Sequence, residues 1–388
     1  MKAFKYKLKM NDDFQREALR TLDVCRELYN ASIQERRDAY KMGGVSVNYH
    51  SQAIQLPEIK QDRPDLKDVF SQVLQDVLRR SDKAFDAFFR RIKAGQTPGY
   101  PRFKGKDRFN SFTYPQSGFR VEGDKLLLSK VGSVRLRLSR PMEGKIKTCT
   151  ITKEADGWYV CFACEIEPKT IKHPSTETVG VDVGIESFAT LSTGEQIENP
   201  KFLRASEKDL KKAQRRVSRR KLRSNRRKQA VKLLAKQHQK VARQRKDFHF
   251  KVANRLVKDF STIKFEHLNI KGMVQNQRLA KSISDAGWGN FILIVADKAE
   301  DAGGQVERVK AAYTSQTCSR CGHRHKIPLS QRIYRCGNCG LVIDRDHNAG
   351  INIKNGRAVH ASRRKIASVG EARTTSQGES PTINGLPF

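Results

Sequence analysis

The sequence predicts a mixed α/β core joined to one all-β unit and one all-α unit, and three observations carry that expectation. Residues 11–95 have helical periodicity, yet they fall between a strand-like N-terminus and a run of short alternating segments. Further along, two apolar strand-like segments each carry one acid, and long helical stretches separate them. Four of the eight cysteines crowd into residues 318–339, a spacing for a metal rather than for a disulfide framework. With 388 residues there is chain enough for roughly two to four domains.

Each element follows in order. Phe4, Tyr6, Leu8 and Met10 alternate with Lys5, Lys7 and Lys9, which makes a strand with one apolar and one cationic face. Asn11 or Asp12 can cap the next helix, where Phe14, Leu19, Leu22, Cys25, Leu28 and Tyr29 recur at helical spacing until Gly43-Gly44 breaks it. A second helix is expected over 66–93, with Val73, Leu74, Val77, Leu78, Phe85 and Phe88 on its apolar side and Gly95 as its stop. From Pro98 to Tyr114 aromatic and cationic residues interleave, and Lys104, Phe112 and Tyr114 are candidates to hold phosphates and stack on bases. The plainer reading is an aromatic loop packed on a basic surface. Short alternating segments continue to Glu167, so residues 96–178 are expected to form a β-barrel or sandwich. The isolated first strand belongs with them, which makes 11–95 an insertion.

Residues 201–247 hold twenty Lys and Arg against three acids. Leu203, Leu210, Val217 and Val231 lie at multiples of seven, and Leu234 and Val241 lie seven apart, so one long basic helix docked by a thin apolar stripe is expected. Its Arg215, Arg216, Arg219, Arg220, Arg223, Arg226 and Arg227 are candidates for phosphate contact. Trp288 precedes an apolar run, Phe291 to Ala296, that reads as a buried helix. After Gly356 the composition becomes that of a disordered tail, 357–388.

Charge narrows the partners. The 76 Lys and Arg against 41 Asp and Glu leave a net +35, which implies a long polyanion, most simply nucleic acid. A hydrophobic fraction of 37% argues against wholesale disorder. No run approaches the roughly 18–20 apolar residues of a membrane span, and the N-terminus has no signal-peptide core, so a soluble intracellular protein with no membrane partner is expected.

Cys318-Ser-Arg-Cys321 and Cys336-Gly-Asn-Cys339 form two knuckles separated by fourteen residues. Two residues between thiolates let both reach one tetrahedral ion, so Cys318, Cys321, Cys336 and Cys339 are expected to hold structural Zn²⁺. His323 and His325 are available as substitutes, but four thiolates already close the shell. Cys161 and Cys164 sit in an alternating strand, where residues three apart face opposite ways, and are read as packing.

The acids on apolar segments carry the remaining chemistry. Asp182 lies in VGVDVGI, Glu266 in STIKFEHL, and Asp344 and Asp346 in IDRDHNAGINI, where acids open a helix. A lone charge on a buried strand is costly without a partner, commonly a metal ion. Three such carboxylates brought together can hold two Mg²⁺ ions for phosphodiester hydrolysis. A strand with an acid and glycine also orients phosphate in sugar-kinase and actin-like ATPases; the order of the three acids beside so much basic surface favours a nuclease.

The set GVDVGIESFATLSTG, KFEHLNIKGM, SISDAGWGNF, YTSQTCSRCG, YRCGNCG and DRDHNAGINI closely resembles the TnpB (OrfB) proteins of bacterial insertion sequences, relatives of compact type V CRISPR nucleases. The resemblance spans about residues 180–355, with weaker agreement in the N-terminal segments. It implies a ribonuclease-H-like RuvC nuclease domain (179–312 and 341–356) with an inserted zinc ribbon (313–340). Before these it implies a β-rich wedge domain (1–10 and 96–178) carrying a helical recognition domain (11–95). It also implies that Asp182, Glu266 and Asp346 are the catalytic, magnesium-binding acids, with Asp344 nearby. The partners would be a guide RNA and double-stranded DNA cut beside a short motif, in a monomeric ribonucleoprotein of the bacterial cytoplasm that meets the nucleoid. Two other readings keep part of this picture: a guided repressor that does not cut, and a DNA transposase that needs no RNA.

Overall fold

The computed structural model of the chain describes residues 1–167, 171–328 and 331–361, which divide into two units, 1–167 and 171–361. In the first, β1 (Lys2–Lys9) buries Phe4, Tyr6 and Leu8 and turns its lysines outward, as its alternation requires. Asn11 caps α1 (Asp12–Gly43) by accepting the Phe14 N–H at 2.8 Å. The short helices α2 (Tyr49–Ile54) and α3 (Leu56–Asp62) and a 3₁₀ turn at Pro64–Asp68 lead to α4 (Ser71–Lys93). The second expected helix therefore starts later, because Phe70 is extended. Val73, Leu74, Val77 and Leu78 of α4 are fully buried, each worth roughly 1.5–3 kcal/mol.

Six strands follow: β2 (Ser111–Tyr114), β3 (Phe119–Glu122), β4 (Lys125–Leu128), β5 (Gly132–Arg137), β6 (Lys145–Glu154) and β7 (Gly157–Glu165). With β1 they form one antiparallel sheet in the order β2-β6-β7-β1-β5-β4-β3. The first strand thus pairs with β7 on one side and β5 on the other, with Phe4 opposite Phe162 and Leu8 opposite Leu136, and the helices are an insertion between β1 and β2. The expected barrel is not closed by hydrogen bonds: β2 and β3 are the two edges. Yet only four residues join them, a span of at most about 18 Å, and the Tyr114 and Phe119 rings lie 6.5 Å apart. The sheet is an open half-barrel. Cys164 is buried and Cys161 lies on the other face.

In the second unit β8 (Thr178–Val183), β9 (Ser187–Leu191) and β10 (Gln196–Glu198) form an antiparallel meander, followed by α5 (Phe202–Ser218) and α6 (Asn225–Asp259). Then come β11 (Thr262–Glu266), α7 (Ile270–Met273), α8 (Ala280–Ala286), α9 (Trp288–Asp301), β12 (Gln305–Val309), β13 (Ile333–Arg335), β14 (Val342–Asp344), α10 (Arg345–Asn355) and β15 (Ala358–Ala361). The sheet order is β10-β9-β8-β11-β12-β15, with β8, β11 and β12 parallel. The C-terminal half of α6 and α9 cover one face, where Val179, Val181, Ile263, Phe265, Phe291 and Val295 share a core.

Four expectations change here. Residues 171–178, assigned above to the β-rich domain, pack in the second unit, where the His173 ring meets the Val257 carbonyl at 2.7 Å. The single basic helix of 201–247 is a helix pair: the chain turns at Arg219–Ser224, where Arg223 adopts φ 65° and Ser224 caps α6. Val231, assigned to the apolar stripe, is 46% exposed, whereas Leu210, Val217 and Val241 are buried. Residues 358–361 are a strand paired with β12 rather than the start of a tail, and the tail beyond 361 lies outside the described residues. Among the described residues no helix is long and apolar enough to cross a membrane.

Candidate active site and metal centre

Strand periodicity places the acids. Val181 pairs with Phe265 across the parallel strands β8 and β11, and both side chains enter the core. One residue further, Asp182 and Glu266 occupy the opposite face at the C-terminal ends of these strands, the edge where open α/β sheets bind ligands. The helix α10 crosses that same face. It can do so because Gly180 has no side chain: a Cβ there would lie 2.1 Å from the Gly350 carbonyl oxygen and 2.4 Å from the Lys354 nitrogen. The close crossing brings the first turn of α10, with Asp346, to the Asp182 end of β8. Asp344 has a different task, accepting the Asp346 and His347 N–H groups at 3.0 and 2.9 Å as the helix cap.

The electrostatics report the same convergence. Burial, followed by the charges of Glu266 and Asp346, holds the Asp182 carboxyl well above the usual carboxylate range. Burial also raises Glu266, against a hydrogen bond from the Thr314 hydroxyl that lowers it. Cations gather beside Asp346: Arg345 donates at 2.9 Å, and Arg332 stands 3.5 Å away while also pairing with Glu186. A part-buried carboxylate raised by two neighbouring acids suits divalent cations, whose hard charge oxygen ligands balance. Asp182, Glu266 and Asp346 therefore fit Mg²⁺ by donor chemistry, although only the four cysteines, among the described residues, form a set of ligand atoms gathered within 4.8 Å.

Those cysteines belong to the ribbon formed by β13, β14 and the loops before them. Cys318 and Cys339 sulfurs lie 3.6 Å apart, as do those of Cys321 and Cys336. Zn–S bonds of about 2.3 Å in a tetrahedron require sulfurs about 3.8 Å apart, so the residues fit Zn²⁺ closely. Gly322 and Gly340 (φ 74° and 70°) make the turn after each knuckle, their N–H groups bonding the Cys318 and Cys336 carbonyls at 3.0 and 3.1 Å. Hydrogen bonds from the His323 backbone and the Asn338 side chain pull the Cys321 thiol down to about 6, toward the thiolate a metal needs.

The structure separates the candidate nucleic-acid contacts. Arg215, Arg216, Arg219, Arg223 and Arg226 are exposed on the α5–α6 pair, and among the described residues none of them meets a carboxylate. Arg227 instead donates to the Val217 and Arg220 carbonyls at 2.8 and 3.2 Å, closing the end of α5, and Arg220 is half-buried. Lys104 keeps an exposed side chain while Asn30 binds its backbone. Phe112 and Tyr114 are corrected outright: both are fully buried on the core face of β2, with Tyr114 bonded to the Ser129 carbonyl at 2.7 Å. Strand alternation sends them inward, and bases cannot reach them. Trp288 is buried in the core, as its apolar neighbours suggested.

Sequence reading missed the polar side chains that tie the site together. Asn348 and Asn352 of α10, Thr314, Arg332 and Arg345 have no periodic signature, although Thr314, Arg345 and both asparagines lie within the segments that carried the family resemblance.

Comparison with known proteins bears on this geometry. Residues 161–277 match the family model described as "Probable transposase" (OrfB_IS605), and residues 288–353 match "Cas12f1-like, TNB domain". A Streptomyces pristinaespiralis protein carrying the name "Putative RNA-guided DNA endonuclease" is 34% identical over 361 residues, covering 91% of this chain and 88% of the relative. The chain belongs to the TnpB (OrfB) family. An Escherichia coli K12 relative of the TnpB chain, with the same name and the suffix InsQ, is 32% identical over 373 residues, 91% of each protein. In fold this TnpB protein is similar to a chain in a cryo-EM structure of a Cas12f1-sgRNA-target DNA complex, with TM-score 0.54 and 16% identity over 89% of one chain and 87% of the other. That likeness shows a shared fold of mixed α/β architecture. Residues 1–44 match a model described as a helix-turn-helix domain, yet here they form one strand and one 32-residue helix.

Proposed function

We propose that the chain is an RNA-guided DNA endonuclease that hydrolyses phosphodiester bonds with Mg²⁺ at Asp182, Glu266 and Asp346. The observation that carries this reading is the convergence of three acids, from β8, β11 and α10, on one face at the ends of parallel strands. The names carried by the relatives, "Putative RNA-guided DNA endonuclease", support the same activity. Bound Mg²⁺ would supply charge neutralisation at the scissile phosphate and a more acidic attacking water.

The chain's own residues divide the rest of the work. Asp182 and Glu266 hold the cations from neighbouring strands, and Asp346 approaches from the helix. The exposed arginines of the α5–α6 pair and Lys104 hold nucleic-acid backbones, which needs charge and no base reading because a guide RNA supplies specificity through pairing. The first unit acts as wedge and helical recognition domains, gripping guide RNA and the motif beside the DNA target. Zn²⁺ on the four cysteines fixes the ribbon. The protein acts as a monomer with its RNA in the bacterial cytoplasm, on the DNA of the nucleoid.

The test is to sequence RNA that copurifies with the chain, then incubate that complex with Mg²⁺ and DNA carrying the guide-matched sequence beside randomised flanks. One enriched RNA, with cutting beside one motif, is expected. Binding without cutting would mark a guided repressor, and absence of an enriched RNA would leave a DNA-only transposase.

A further inference from the structure

Glu266 is oriented from outside its own strand. After β12 the chain passes over the end of β11, where the His267 N–H bonds the Val309 carbonyl at 2.8 Å, and runs through residues 310–317 into the ribbon. On this segment the Thr314 hydroxyl donates to a carboxylate oxygen of Glu266, which among the described residues has no other side-chain partner. Thr314 is itself fixed from three directions. Asn352 donates to the carbonyls of Thr314 and Thr317 at 2.8 and 2.7 Å. Asn348, fully buried one turn earlier on α10, donates to Thr317 at 2.8 Å and accepts the Ser319 N–H at 2.9 Å. Before Thr314, Tyr313 adopts φ 68°, a left-handed conformation costing roughly 1–3 kcal/mol, and its ring lies 3.6 Å under the Arg324 guanidinium.

A strained residue under a stacked cation, followed by carbonyls held by the buried Asn348 and the half-buried Asn352, is over-determined for a plain connector. The helix that supplies this clamp is also the helix that carries Asp346. We propose that Thr314, clamped by Asn352, is a positioning residue that fixes the Glu266 carboxylate for metal binding and couples its placement to that of Asp346. The inference rests on the endonuclease reading for the identity of the metal. Its logic is that of outer hydrogen bonds which orient metal-binding carboxylates, whose loss costs about 10–100-fold in metal affinity or activity.

The experiment compares Thr314→Val, Thr314→Ser and Asn352→Ala in the full-length ribonucleoprotein. Mn²⁺ binding is followed by electron paramagnetic resonance without DNA, and single-turnover cleavage is followed across a Mg²⁺ titration. Thr314→Val should weaken Mn²⁺ binding about tenfold and raise the Mg²⁺ requirement for cutting by a similar factor, with guide-RNA binding, DNA affinity and zinc content unchanged. Thr314→Ser, which keeps the hydroxyl, should stay near wild type, and Asn352→Ala should shift in the same direction as Thr314→Val. Wild-type Mn²⁺ affinity in Thr314→Val, or a Ser variant as impaired as the Val variant, would overturn the inference. A wild-type complex that binds Mn²⁺ but never cuts would overturn the endonuclease reading instead, while the binding comparison still decides the role of Thr314.

Discussion

At the scale of single residues, similar-looking side chains part company by the face they occupy. Asp182 and Phe112 both lie on strands, yet Asp182 turns to the face crossed by a helix, whereas Phe112, between Ser111 and Thr113, turns to the sealed core. Asp182→Ala is expected to abolish cutting while guide-RNA binding stays within a few-fold, measured by cleavage and filter binding on the same preparation; loss of RNA binding would contradict that division of labour. Phe112→Ala should instead lower stability by about 3–5 kcal/mol through the cavity it leaves, and a denaturation curve reads that directly. Were Phe112 a stacking platform, the variant would weaken nucleic-acid binding and leave stability alone.

At the scale of elements, the ribbon and the basic helix pair are each held by a few local groups. Cys318→Ser removes one thiolate from a site whose sulfurs already stand at tetrahedral spacing, so zinc content by mass spectrometry should fall and residues 313–340 should lose exchange protection. Unchanged zinc would sink the assignment. Ser224→Ala removes the cap of α6 and should cost about 1 kcal/mol. Legibility followed the same boundary between local and distant. The ribbon was readable because ligand spacing is a local property, and the acids because a lone charge interrupts an apolar strand. The turn between α5 and α6 was also marked: the heptad position after Val217 is Ser224, a polar cap where the stripe needed an aliphatic residue. The inward turn of Phe112 and Tyr114 went unread because interleaved cations imitate an exposed binding surface. The asparagine clamp of α10 could not be read, since its partners are backbone carbonyls more than thirty residues away.

At the scale of the whole molecule, two hydrophobic cores that share no residue predict two unfolding transitions, and Phe112→Ala should lower only one of them. Acid should act selectively on the other through His249, which sits among Phe188, Phe248 and Phe291 with Nε2 2.9 Å from the Ala286 carbonyl. Burial lowers its pKa from 6.5 to about 4. Between those values the unfolded chain takes up a proton that the folded one refuses, so stability falls as pH drops, by about 3 kcal/mol near pH 4. The raised Asp182 and Glu266 act in the opposite sense, so the comparison with His249→Gln isolates the histidine: calorimetry should show a shallower acid slope in the variant, and equal slopes would refute the assignment. The central place of β1 adds a matter of timing. During synthesis this strand emerges before its partners β5 and β7, which follow more than a hundred residues later. The helices between rely on local contacts and can form while it waits. A nascent chain stopped before residue 132 therefore carries an orphaned strand with one greasy face, and we expect ribosome-associated chaperones to crosslink there until β7 arrives.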